Sequence, residues 1–68
     1  MNRAAISSTT PKAWWNGLTP SQRRAALNKA DPEALERFSS VIAQNWDALP
    51  LAAMLTTQEC FERLRRSA

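Results

Sequence analysis

Between Asp31 and Leu49 the apolar residues fall at helical spacing, and this run constrains the fold more than any other stretch. Leu35, Phe38, Val41, Ile42, Trp46 and Leu49 recur at steps of three and four. At about 100° per residue they occupy one arc, roughly 140–160° wide with Ala34 included. Asp31 supplies an N-cap, Pro32 suits the first helical position, and Glu33 places a carboxylate in the first turn. Glu33 precedes Arg37 by four residues, the better orientation for a helical ion pair. Pro50 ends the run. The pattern predicts one amphipathic helix over residues 32–48, with the largest apolar stripe in the chain.

Other start signals frame it. Thr19, Pro20 and Gln22 form a capping box and predict a helix over 19–29, whose apolar groups are Ala25, Ala26, Leu27 and Ala30. Thr56 and Glu59 form a second box and predict a helix over 57–66. Glu59–Arg63 and Glu62–Arg66 are i,i+4 pairs within it. Leu51–Leu55 suits one or two further turns. Residues 1–12, rich in Ser, Thr and Ala, read as a flexible N-terminal arm, and 13–68 as a single helical domain. The expected fold class is all-α: a three-helix bundle, or a four-helix one if 51–55 counts separately. The expected core holds Leu27, Leu35, Phe38, Val41, Ile42, Trp46, Leu49, Leu55, Phe61 and Leu64, with Trp14 or Trp15.

Asn45 lies near the centre of the apolar arc. Such an amide sets register across a helix–helix contact or bonds nearby backbone as the helix ends. The stripe is also wider than the small-residue face of the 19–29 helix. Either the 51–66 segment covers it, or a homodimer does.

At 68 residues the chain has little core to spare, and its one cysteine rules out an intrachain disulfide. Cys60 falls on the apolar side of its helix and reads as a small buried hydrophobe. The chain has no histidine, which removes the commonest metal ligand and general base. Gly17 is the only glycine, so there is no Gly-rich phosphate loop. Each acid already has a role as cap, first-turn charge or ion-pair partner. These features point away from catalysis, and no cofactor or metal is expected. Without a secretory h-region or a run of ~20 apolar residues, a cytoplasmic protein with no membrane contact is the expectation.

The net charge is +3, unevenly arranged. Residues 1–30 carry +5, residues 31–54 carry −3, and residues 55–68 carry +1. Basic ends flank an acidic middle, so part of the asymmetry can be satisfied inside the fold.

Two binding classes remain. Leu51 through Leu64 resembles a helix-turn-helix, which would make Gln58, Arg63, Arg65 and Arg66 the DNA contacts. It departs from that motif at Thr56 and Thr57, where glycine and an apolar turn residue are usual. Phe61 and Leu64 also fall one position early. The other class is protein binding. Trp14, Trp15, Arg23 and Arg24 gather at a turn-to-helix corner, and Trp and Arg dominate protein interfaces. The two tryptophans, being adjacent, cannot both face one way. One docks on the core and the other meets solvent or a partner, unless both close over the stripe as a lid.

Trp14-Trp15-Asn16-Gly17-Leu18-Thr19-Pro20-Ser21-Gln22-Arg23-Arg24 resembles the W-x-x-L-T-P-x-Q-R stretches of small accessory proteins carried by bacterial phages and plasmids. That resemblance implies a mobile-element protein that works by binding another protein. The sequence therefore leads to a small non-enzymatic binding or regulatory protein with a protein partner. Nucleic acid is the alternative.

Overall fold

Each of the first three helices starts at the same signal, an oxygen-bearing side chain followed by proline. In the computed structural model, which describes residues 9–67, α1 spans Pro11–Asn16, α2 Pro20–Ala30 and α3 Pro32–Phe38. Thr10 Oγ1 accepts from Ala13 N–H, Thr19 Oγ1 from Gln22 N–H, and Asp31 Oδ1 from Ala34 N–H. The Gln22 side chain accepts from Thr19 N–H in turn, which completes the expected capping box. Such caps contribute about 1 kcal/mol each, and proline at the first position forfeits no ladder bond. Two 3-10 turns, Ser39–Val41 and Trp46–Ala48, lead to α4, Leu51–Ser67. The fold is all-α, with no strand among the described residues.

α2 packs against both α3 and α4, while α1 packs against α4 and the second 3-10 turn. One buried cluster joins them, built from Trp15, Leu27, Ala34, Ile42, Trp46, Leu49, Ala53 and Cys60. Phe61 is also buried. Leu35, Phe38 and Val41 pack against this cluster while staying half-buried, and Leu64 is half-buried too.

The middle helix is shorter than its periodicity predicts. It stops at Phe38, whose φ of −114° and ψ of 19° leave the helical region, and Asn45 is fully extended at φ −72°, ψ 163°. The reason is geometric. A straight helix over 32–48 would run about 25 Å, whereas an 11-residue α2 offers only about 16 Å of partner. Breaking the run lets Ala34 face α2 while Ile42, Trp46 and Leu49 turn back onto Trp15 in the same cluster. One chain thereby buries Ile42, Trp46 and Leu49 of the stripe and leaves Leu35, Phe38 and Val41 half-buried. Asn45 takes neither expected role. Its Oδ1 accepts from the guanidinium of Arg23 at 3.3 Å.

The C-terminal region is longer and simpler than expected. Leu51 through Ser67 is one unbroken helix, so 51–55 and 57–66 are not separate and no turn lies at Thr56-Thr57. Thr56 lies inside the helix rather than capping it, and Thr57 is buried in its inward face. The helix-turn-helix is therefore absent. Unbroken winding also carries Leu55 outward, so it lies 55% exposed instead of in the core. The ion pairs differ as well. Arg63 reaches Asp31 at 3.8 Å and donates to the Ala30 carbonyl at 3.1 Å, while Arg65 pairs with Glu62 at 2.6 Å.

α1 was not expected. Pro11 and Lys12, assigned above to the arm, form its first turn, and Lys12 pairs with Asp47 at 3.1 Å. Most of the expected arm, residues 1–8, lies outside the described residues.

Candidate functional site

The corner formed by α1 and α2 holds the four residues singled out for protein binding, and the fold divides them. Trp15 is 1% exposed and Arg23 is 4% exposed, Trp14 is half-buried, and Arg24 is exposed. The turn at Gly17 sets this arrangement. Gly17 N–H caps α1 by donating to the Ala13 and Trp14 carbonyls, and Thr19 then starts α2. Arg23, one turn into α2, thus points back under α1.

Arg23 is buried without a carboxylate. Nε donates to the Trp15 carbonyl at 3.0 Å, and Nη1 to the carbonyls of Ile42 at 3.0 Å and Gln44 at 2.9 Å. Nη2 donates to Asn45 Oδ1. The guanidinium also lies 4.8 Å from the centre of the Trp15 ring, a cation–π distance. Burial pushes its pKa down, yet arginine remains protonated across the physiological range. A buried charge is tolerated only when hydrogen-bonded, and here backbone oxygens supply the bonds. The carbonyls at 42 and 44 gain in return, since the interrupted helix gives them no ladder partner.

Two neighbours complete the clasp on the 42–46 segment. Trp15 Nε1 donates to the Gln44 carbonyl at 2.8 Å, and Asn16 Oδ1 accepts from Trp46 N–H at 2.8 Å. Trp14 turns the other way, with its ring 5.3 Å from that of Phe61 on α4. Trp15 and Arg23 are thus structural residues, which corrects their assignment as interface contacts. The physical reason is that Arg23 can reach three carbonyls from α2 only by running beneath Trp15. Of the corner, Arg24 and the outer part of Trp14 reach solvent.

Of the four candidate DNA contacts, Gln58, Arg63 and Arg66 line one groove on α4, where Glu59 and Glu62 stand among them, and Arg65 lies outside it. On a continuous helix Arg63 and Arg65 project about 160° apart. Arg63 is held at the α2–α3 junction, and Arg65 pairs with Glu62 beside Phe61. Gln58 and Arg66 share the outer face of α4 and are exposed. Arg65 and Arg66 also complement the helix dipole in the last turn.

That outer face carries the feature that sequence reasoning missed. Leu51 is 69% exposed and Leu55 is 55% exposed, one turn apart on the first half of α4. Below them an open groove of about 570 Å³ is lined by Leu55, Gln58, Glu59, Glu62, Arg63 and Arg66. The face is therefore apolar at its N-terminal end and charged at its C-terminal end. The 3.6-residue period of Leu51, Leu55, Gln58 and Glu62 was legible in the sequence, but only once the helix was known to be continuous.

Cys60 is buried, as expected, and burial pushes its thiol pKa up, with the Asp31 carboxylate adding to the shift. No group of three or more His, Cys, Asp or Glu side chains converges as a metal site among the described residues. No helix there is long and apolar enough to cross a membrane. Compared with known proteins, the chain matches no family model, no curated protein and no solved structure.

Proposed function

We propose that this chain is a small non-enzymatic binding protein that acts by docking onto another protein through the outer face of α4. The observation that carries the reading is the exposure of Leu51 and Leu55 on one helical face. Covering a leucine fully is worth about 1.5–3 kcal/mol relative to leaving it in water. Helix-in-groove and helix-on-helix docking use such i,i+4 anchors. Gln58, Glu59 and Glu62 beyond them supply a polar margin of the kind that surrounds interface anchors. Self-pairing suits the face less well. An antiparallel copy centred on the middle of α4 would bring Glu59 close to its own counterpart.

The mobile-element origin proposed here rests on the Trp14-to-Arg24 resemblance, and a cytoplasmic location on a lone, free and buried cysteine. DNA binding is the weaker reading, because residues 51–67 form one unbroken helix and Glu59 and Glu62 stand among Gln58, Arg63 and Arg66 on the same face.

Affinity capture of the tagged protein from a bacterial lysate, with and without nuclease, tests the proposal. A protein partner that survives nuclease and is lost with Leu51→Gln/Leu55→Gln is the expected result. Recovery of nucleic acid alone, released at moderate salt, would overturn it.

A further inference from the structure

We draw no further inference here: the strongest candidate, the open groove on the outer face of α4 beside Leu55 and Glu59, belongs to the surface already described, and nothing in the structure shows what covers it.

Discussion

The Arg23 guanidinium lies 4.8 Å from the centre of the Trp15 ring and donates through Nε to that residue's own carbonyl at 3.0 Å. One side chain thus clasps the end of α1 from inside α2. Its remaining donors tie the same point to Ile42, Gln44 and Asn45. Removing it would leave the Ile42 carbonyl without its side-chain donor inside the core. Arg23→Met should cost about 2–5 kcal/mol, since each buried acceptor left without a donor costs about 1–3 kcal/mol. Arg23→Lys keeps the charge but not the planar fork, and should cost about 1–3 kcal/mol. Urea melts check the order, with lysine intermediate between arginine and methionine. Equal midpoints for all three would show that the clasp contributes nothing.

The adjacent tryptophans should respond differently to truncation. Trp15→Ala empties the centre of the core and should cost about 3–5 kcal/mol. Trp15→Phe keeps most of the volume but loses the Nε1–H bond to Gln44, a loss of about 1 kcal/mol. Trp14 packs on Phe61 with one side in solvent, so Trp14→Ala should fall within about 0.5–3 kcal/mol. Thermal denaturation of the three variants gives the ranking. A Trp14→Ala variant less stable than Trp15→Ala would reverse the assignment of core and rim.

Cys60 predicts a pH dependence with a definite sign. Its thiol pKa is raised in the folded protein by burial, so the native state holds the proton more tightly than the unfolded chain. Above about pH 8.5, the ordinary cysteine value, the unfolded state ionises first and binds fewer protons, and stability falls as pH rises. The stabilisation is complete below that pH and is lost as pH climbs through the folded value. Cys60→Ala should remove this component of the slope, whatever constant offset its lost volume adds. Parallel stability–pH curves for the two proteins between pH 7 and 10 would contradict the linkage. Alkylation of the native thiol should likewise be slow and follow transient opening.

Leu51 and Leu55 should matter for binding and not for folding. Both are exposed on α4, so glutamine at either position should change stability by no more than about 0.5 kcal/mol. A loss of more than about 1 kcal/mol would mean that the side chains are covered within the chain. Far-UV circular dichroism with a thermal melt decides this independently of any partner.

Local chemistry determined where the helices begin. Thr19-Pro20 and Asp31-Pro32 were legible as starts because a capping oxygen beside proline satisfies the first turn without tertiary help. Thr10-Pro11 carries the same signature. It was missed because only four residues follow before Asn16-Gly17, too few for a periodic pattern to register. The all-α class, the burial of Cys60 and most of the core were legible for the same reason: they follow from side-chain type and spacing along the chain.

Where two helical segments join or part was decided by tertiary structure alone. The 32–48 run has the spacing of one helix, yet Arg23, Trp15 and Asn16 offer its backbone other partners, and folding it back buries both halves of the stripe. Thr56-Thr57 looks locally like a cap, yet burial of Thr57 beside Ala53, Cys60 and Phe61 favours continuing the helix. The candidate site moved with those two decisions. A side chain's exposure depends on the path of the whole chain, so Trp15 and Arg23 went inward while Leu51 and Leu55 stayed on the surface.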